Sequence, residues 1–439
     1  MLKTNAKSYV YPSSLLLLLV FSGMKIRNAY FFSDDYTWLQ NFNLQYIFEP
    51  YMGHLMYSLK IIYLPLYYLF GIDSYIPFLI SSLLCMAVAS FGIYRFCLRL
   101  GLGQSVSNLA AIIVLVLPNS EHTIFFLQAA LQLLTFSSIF YVFVFSSHFK
   151  LIKIVAVTVY LAGTGGYGLP ILVGLSLYFI FEREFKYLLV TSLALLVLFF
   201  SYTGWNSAEN RIPDFVKINE YILESYWLTL ENSFGSWLAG ILIVVQIGAL
   251  IAACIKRDFS VLKYPAVLFA ALMTFYSLIF VARLGVESIL AARYIALSNL
   301  MVVSSVILAL AYVKNLKPIS LIRTRQNLDI VSIVLIFGIL HNTTGYYRAL
   351  QNIEWGSKIT IGQVSAIFCS QIDNSNVEKW QMNNSLRSLD YQKFLEAFKG
   401  NGSPKQEKES ILELKEPAVS SYQEMLKAMK VPTSSECYL

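Results

Sequence analysis

Charged side chains are scarce in this chain of 439 residues. Lys, Arg, Asp and Glu make up 13% of it, hydrophobic residues make up 57%, and the mean hydropathy is +0.60. A soluble globular protein carries about 25% charged residues. The composition therefore excludes an ordinary soluble globular protein and predicts one that crosses a membrane many times.

Several chemical motifs are missing as well. The sequence contains no glycine-rich phosphate-binding loop, no histidine-rich metal motif and no internal repeat. Its five cysteines lack metal-ligand spacing, and for Cys369 and Cys437 both a disulfide and two free thiols are open. The net charge of +7 is divided among short clusters rather than gathered in one basic stripe, so we expect no nucleic-acid partner.

Apolar runs of near-bilayer length recur along the chain. They do not alternate apolar and polar residues with period two, which excludes a membrane barrel. Five basic clusters separate the runs, and the positive-inside rule predicts that all five are cytoplasmic. The clusters are Arg95 with Arg99, Lys150 with Lys153, Arg183 with Lys186, Lys256 with Arg257 and Lys263, and Lys314 through Arg325.

An even number of crossings must then separate each cluster from the next, and the apolar runs allow it. The expected crossings are residues 9–24, 75–94, 105–118, 123–146, 151–163, 167–182, 187–203, 236–254, 264–282, 294–313 and 327–341. The sequence thus predicts an all-α polytopic membrane protein with about eleven transmembrane helices. Its N-terminus is expected in the cytoplasm and its C-terminus outside. The bias toward Ile, Lys, Asn, Tyr and Phe favours an AT-rich bacterium, and hence the bacterial inner (plasma) membrane.

Two apolar stretches leave alternatives open. Residues 54–71 contain Lys60 and Pro65, and we interpret them as an interfacial or re-entrant helix on the outer side, because a full crossing would invert the topology. The first run is interpreted as a retained anchor, with a cleaved signal peptide as the rival.

The chain divides into two regions by composition. Residues 1–341 form the predicted transmembrane domain, with a first outer loop at about 25–74. Residues 342–439 are polar and form an outer segment or a small domain. In this second region Asn342, Asn383 and Asn401 head N-x-S/T triplets, which are weak signals of glycosylation.

Two adjacent carboxylates, Asp34 and Asp35, stand in the aromatic stretch "FFSDDYTWL" of the first outer loop. Ionised carboxylates beside hydrocarbon are expensive unless a function retains them. An acidic pair after the first helix, in a large outer loop with juxtamembrane helices, resembles the GT-C superfamily of membrane glycosyltransferases. So does the run "YLFGIDSYIPFLISSLLCMAVASFGIYRFCLRLG", in which an interfacial helix precedes a descending helix with a basic end.

The resemblance implies an enzyme that moves a sugar from a polyprenyl-phosphate carrier to an acceptor on the outer (periplasmic or lumenal) face. The acceptor is a glycan, a lipid or a protein, and membrane lipids surround the site. Asp34 is expected to be the general base, with Asp35 as an orienting partner or as the ligand of a divalent metal, Mg or Mn. The two roles could be reversed. The residue-level alternative is a solvated turn in which Asp34 caps a helix.

A second group of candidates lies in "VARLGVESILAARYIAL". Arg283, Glu287 and Arg293 fall in a short outer connection, against the positive-inside trend, and Tyr294 follows at the start of a helix. Positively charged side chains on the outer side of the membrane indicate an anionic partner. The resemblance implies that this partner is the carrier phosphate, bound by Arg293, Tyr294 and Arg283. The alternative is an Arg283–Glu287 pair at i, i+4 with Arg293 snorkelling.

Further cavity candidates are expected in the outer loops and turns. They are Glu49 and His54 of the first loop, Glu121 and His122 in "PNSEHTIFF", Tyr167 in "GTGGYGLP", and Glu287. His54 could also bind a metal with the aspartates.

The leading alternative to a transferase is a transporter or flippase of a lipid-linked or anionic substrate. Such a protein typically has internal repeats and ionisable residues near the bilayer midplane. An O-antigen polymerase or ligase is a closer rival, but its key residues would lie in a large later loop, and the early Asp pair would have no role.

Overall fold

The computed structural model describes residues 10–25, 47–48, 55–70, 76–116, 127–145, 151–201, 215–257, 259–282, 292–315 and 330–368. Within these ranges every regular element is helical and no strand occurs, which confirms the all-α class. The α-helices are α1 Val10–Lys25, α2 Tyr57–Phe70, α3 Ile76–Arg99, α4 Gly103–Val116, α5 Leu127–Phe145, α6 Leu151–Ala162, α7 Gly168–Phe181, α8 Phe185–Ser201, α9 Phe215–Phe234, α10 Ser236–Lys256, α11 Phe259–Ala282, α12 Ala292–Asn315 and α13 Ile330–Phe368.

Each of the eleven predicted apolar runs coincides with a helix, to within a few residues at most ends. Within the described ranges, four helical segments are long and apolar enough to cross a membrane: Ile76–Arg99, Ser236–Lys256, Lys263–Val281 and Ile330–Arg348. Several shorter apolar helices accompany them. The helices fit a membrane protein, whereas the count of eleven crossings stays a prediction.

One end of the bundle collects basic residues from separate clusters. Arg99 at the end of α3 donates to the carbonyl of Val144 near the end of α5. Lys263 near the start of α11 forms an ion pair with Glu182, just after α7, at 2.5 Å. Helices α3, α5, α7 and α11 therefore have these termini at a common end, called here the basic end.

Aromatic side chains fill the bundle above this end. The ring of Tyr264 on α11 lies 5.7 Å from Phe96, 4.9 Å from Phe143 and 6.4 Å from Tyr178, on three different helices. Aromatic pairs at such spacings add about 0.5–1.5 kcal/mol each beyond the area that they bury. They fix the relative positions of the helices that carry the basic residues.

Helices α6 and α7 form a hairpin that is short for a membrane crossing. With 12 and 14 residues they extend about 18 and 21 Å, against about 30 Å of hydrocarbon. The tip of this hairpin holds the N-terminus of α2, because the Ser58 N–H donates to the Gly163 carbonyl at 2.9 Å and Ser58 Oγ donates to the Tyr160 carbonyl at 2.7 Å.

Helix α2 is as short as α4 and α7, and its interpretation as a helix that does not cross fully stays a prediction. Its 14 residues extend about 21 Å. One face is buried in the bundle and includes Lys60, of which only 1% is exposed. Ionisable residues at such positions in membrane bundles are costly and mark functional regions.

Helix α9 lies between the expected crossings 187–203 and 236–254, where the sequence predicts no crossing. Residues 215–234 form a helix that packs against α10, α11, α12 and α13. The sequence pattern does not indicate this helix, because its apolar pattern is interrupted by Lys217, Glu220, Glu224 and Glu231. Small hydroxyl residues at i, i+4 spacing line its buried face instead.

Helix α13 continues past the predicted domain boundary at residue 341. It runs without interruption through Asn342 to Phe368, and Tyr346 and Leu350 are still buried. The change in composition at 341 is therefore not a change in secondary structure. The division into two regions stays a prediction, and residues 369–439 lie outside the described residues.

The two ends of the bundle should face opposite sides of the membrane. In intact cells, a membrane-impermeant maleimide should label Ser236→Cys, whereas Lys186→Cys should react only after permeabilisation. Ser236 lies about 30 Å from the basic end along α10, since that helix has 21 residues. Lys186 is exposed beside that end.

The unsubstituted protein provides the background for its native cysteines. Labelling of both variants from one side would contradict two-sided placement of the ends. Labelling of Lys186→Cys alone from outside would contradict the predicted orientation.

Candidate functional site

The N-terminus of α12 and the Gly235 turn lie at the end of the bundle away from the basic clusters. Two residues separate the end of α10 at Lys256 from the start of α11, so the first residue of α10, Ser236, is at the other end. Helix α11 runs from the basic end to Ala282, and α12 begins after a short connection. Tyr294, which the sequence predicts on the outer side, belongs to this end, since it lies on the first turn of α12.

Most of those residues fall outside the described ranges. This applies to both predicted catalytic aspartates, Asp34 and Asp35, and to Arg283. It also applies to the cavity candidates Glu49, His54, Glu121, His122 and Glu287. Their predicted roles stay predictions.

Two predicted site residues, Tyr167 and Tyr294, are described, and the fold brings them to one aromatic ring. Tyr167, in a 3-10 turn between α6 and α7, lies 6.3 Å from Phe275 between ring centroids. Tyr294, on the first turn of α12, lies 6.2 Å from the same ring with the planes at 77°. Arg293 is the second residue of α12, so its backbone adjoins this aromatic group.

A network of buried hydroxyl groups fixes the middle of α9. Thr229 Oγ1 lies 2.8 Å from the hydroxyl of Tyr276 on α11 and 3.0 Å from Ser298 Oγ on α12. All three residues are fully buried or nearly so. Interhelical hydrogen bonds of this kind join membrane helices where little hydrophobic driving force acts between them.

The network continues one turn further along α9. Ser233 Oγ donates to Asn299 Oδ1 on α12 at 2.9 Å. Asn342 on α13 donates through Nδ2 to the Ser233 carbonyl at 2.7 Å and to the Gly338 carbonyl at 2.8 Å. Asn342 is 1% exposed, so its N-x-S/T triplet marks a packing residue rather than an accessible glycosylation site.

A tight turn joins α9 to α10. Gly235 has φ of +80°, a conformation that residues with a Cβ rarely adopt, and its N–H donates to the Glu231 carbonyl at 2.7 Å. Beyond the turn, Tyr226 on α9 donates to Gln246 Oε1 on α10 at 2.8 Å. The turn and this hydrogen bond hold the two helices side by side.

A cavity of about 350 Å³ opens at this turn. Its lining combines polar and apolar side chains from four helices. The lining residues are Leu228, Glu231, Asn232, Gly235, Ser236, Ile295 and His341. Ser236 Oγ donates to Glu231 Oε1 across the turn. Ile295 follows Tyr294 on the first turn of α12, so the cavity reaches the start of that helix.

The cavity supplies an acidic, an imidazole, an amide and a hydroxyl side chain within one small volume. A carboxylate and an imidazole can accept or deliver protons, and the amide and hydroxyl groups can orient a polar ligand. Among the described residues, no group of three or more His, Cys, Asp and Glu side chains is placed to hold a metal ion.

Sequence reasoning missed Glu231, Asn232, Ser236 and His341. One signal was available, since Ser225, Thr229 and Ser233 repeat at i, i+4 spacing and predict a helix with a polar packing face. Nothing in the sequence indicates that His341, 110 positions after Glu231, lines the same cavity.

Comparison with family models, curated proteins and solved structures found no match to this chain. The class therefore follows from the fold alone. The described residues form an all-helical bundle. Four of its segments are long and apolar enough to span a membrane, and a polar cavity lies at the end opposite the basic end.

The Asn342 side chain should matter for stability. Asn342→Ala removes two hydrogen bonds in the buried centre of the bundle, and we expect it to lower the free energy of unfolding by about 1 kcal/mol or more. The measurement is the midpoint of thermal unfolding of the purified, detergent-solubilised protein.

Thr343→Ala is the matched control, because the neighbouring Thr343 is exposed and donates only to the Ile339 carbonyl within its own helix. Equal midpoints for the two variants would contradict the structural role of Asn342.

Proposed function

We propose that this protein is an integral membrane glycosyltransferase, which moves a sugar from a polyprenyl-phosphate carrier to an acceptor on the outer face. The observation that carries the proposal is the cavity with its carboxylate, imidazole, amide and hydroxyl lining, next to the turn of α12 that contains Arg293 and Tyr294. A lipid-linked sugar needs both a cationic place for phosphate and a polar place for hydroxyl groups, side by side.

The proposed chemistry is a displacement at the anomeric carbon. The acceptor's hydroxyl or amine attacks this carbon, a new glycosidic bond forms, and the bond from the sugar to the carrier phosphate breaks. Asp34 takes the acceptor's proton, and the carrier phosphate leaves with the bonding electron pair. Asp35 orients Asp34 or binds a divalent metal, Mg or Mn, that would neutralise charge on the phosphate.

Arg293 is proposed to bind the carrier phosphate. A guanidinium is permanently charged and can donate two parallel hydrogen bonds to phosphate oxygens. Its position in the first turn of α12 adds the partial positive charge of the helix N-terminus. Tyr294, in contact with Phe275, holds this turn against α11.

A transporter of a lipid-linked or anionic substrate is the second candidate, and two observations favour it. The hairpin of α6 and α7 is shorter than the bilayer core and turns at a glycine-rich tip, as interrupted helices of transporters do. Lys60 adds an ionisable side chain buried in the bundle. The transferase remains the stronger proposal, because transport assigns no role to an acidic pair in the first outer loop.

The role of Asp34 separates these functions. Asp34→Asn keeps the shape of the side chain but removes its ability to accept a proton, so transfer of radiolabelled sugar from a polyprenyl-phosphate donor should fall roughly 100-fold or more. If Asp35 binds a metal, excess divalent cation should partly restore the loss in Asp35→Asn. If Asp35 orients Asp34, the loss should be smaller and insensitive to metal.

Asp73→Asn, in the same predicted loop, is the control and should retain activity. Near-normal transfer in both Asp34→Asn and Asp35→Asn would remove the transferase assignment of this motif. It would agree instead with a helix-capping role, since Asn caps a helix about as well as Asp.

Arg293 has its own test. Arg293→Ala should raise the KM for the polyprenyl-phosphate donor about tenfold or more, because a charge-assisted pair with phosphate is lost, while the protein still folds and inserts. Arg348→Ala is the control, since the Arg348 side chain is exposed on α13. Unchanged donor KM in Arg293→Ala would return Arg293 to a snorkelling role.

A further inference from the structure

The cavity at the Gly235 turn is open to its surroundings and has a mixed polar and apolar lining. Its volume of about 350 Å³ falls within the usual range for small-molecule sites, about 300–1,000 Å³. Four polar side chains face it together with the apolar Leu228 and Ile295. Such a mixture is typical of a site that recognises a ligand with a hydroxylated surface and a carbon skeleton.

The cavity walls are held in place by the buried network beneath them. Glu231 and Asn232 lie between Thr229 and Ser233 on α9, both of which are hydrogen-bonded to α12. His341 immediately precedes Asn342, whose amide fixes α13 to α9. Glu231, Asn232 and His341 are therefore within two positions of a buried anchor, and Ser236 donates to Glu231, so the walls of the site are held in place.

The lining chemistry excludes several ligand classes. A zinc ion takes three or four His, Cys or carboxylate ligands, and this lining supplies one carboxylate and one imidazole. A phosphate would be repelled by the Glu231 carboxylate, and His341 is the one side chain of the lining that can carry a positive charge. A purely apolar ligand would form no hydrogen bond with the four polar side chains of the lining.

We propose that this cavity binds the hydroxyl groups of a sugar ring. Glu231 accepts the Ser236 hydrogen bond at Oε1, and its second oxygen can accept a further one from a ligand hydroxyl. An amide and an imidazole each offer a donor and an acceptor, which suits neighbouring hydroxyl groups. The assignment of this cavity as a subsite of the transferase rests on the proposed function. The binding of sugar hydroxyl groups does not.

The test uses the full-length protein in lipid nanodiscs and calorimetric titration with methyl glycosides of glucose, galactose, mannose and N-acetylglucosamine. At least one should bind saturably. Glu231→Gln should weaken that binding about tenfold or more, since a charge-assisted hydrogen bond is lost without a change of shape. His341→Ala should weaken it as well.

Glu224→Gln is the matched control, because Glu224 is exposed on the same helix and does not line the cavity. It should leave glycoside binding unchanged. Failure of every glycoside to saturate, or equal binding by Glu231→Gln and Glu224→Gln, would overturn the inference.

Farnesyl phosphate, titrated separately, distinguishes this inference from the proposed function. Glycoside binding that depends on Glu231, without farnesyl phosphate binding, would support the cavity and count against the transferase. Farnesyl phosphate binding without any glycoside binding would support the transferase and count against the cavity as a sugar site.

Farnesyl-phosphate glucose and farnesyl-phosphate mannose identify the source of the sugar. If the cavity holds the donor sugar, one of them should bind more tightly than farnesyl phosphate, and Glu231→Gln should remove the difference. If the cavity holds the acceptor, Glu231→Gln should leave that difference intact and weaken methyl glycoside binding alone.

Discussion

Hydrogen bonds from buried polar side chains join α9 to the helices packed around it. Thr229 meets Tyr276 and Ser298, and Ser233 meets Asn299 and the Asn342 amide. A buried polar group without a partner costs about 1–3 kcal/mol, and these hydroxyl groups are satisfied both by one another and by carbonyls of their own helices. The arrangement of α9, α11, α12 and α13 at this end depends on that mutual satisfaction.

The network also explains why a polar cavity can exist at the end of such a bundle. Apolar helices in lipid gain little from packing against each other, and a wall lined by Glu231 and His341 would otherwise be free to rearrange. The anchors Thr229, Ser233 and Asn342 oppose that rearrangement from below. At the basic end, the helices are held together by the aromatic rings around Tyr264 and by the Lys263–Glu182 ion pair.

The sequence was sufficient to locate the apolar helices, because continuous apolar runs and basic clusters are local signals. It predicted Ser236–Lys256 to within two residues, and Ile76–Arg99 to within one residue at its start and five at its end. It missed α9, since its charges hide a packing face of small hydroxyl residues. The candidate site was predictable only in part: Tyr167 and Tyr294 were expected there, but Phe275, which both contact, lies within an uninterrupted apolar run. Glu231 and His341 come together through tertiary packing, which no local pattern records.

The central claim is that the end of the bundle opposite the basic end binds a sugar linked to a lipid phosphate. Cryo-electron microscopy of the protein in nanodiscs with a short-chain polyprenyl-phosphate sugar tests it most directly. We expect phosphate density beside the first turn of α12 and sugar density within the cavity lined by Glu231, Ser236 and His341. Ligand density at the basic end, or on the lipid-facing surface alone, would contradict the claim.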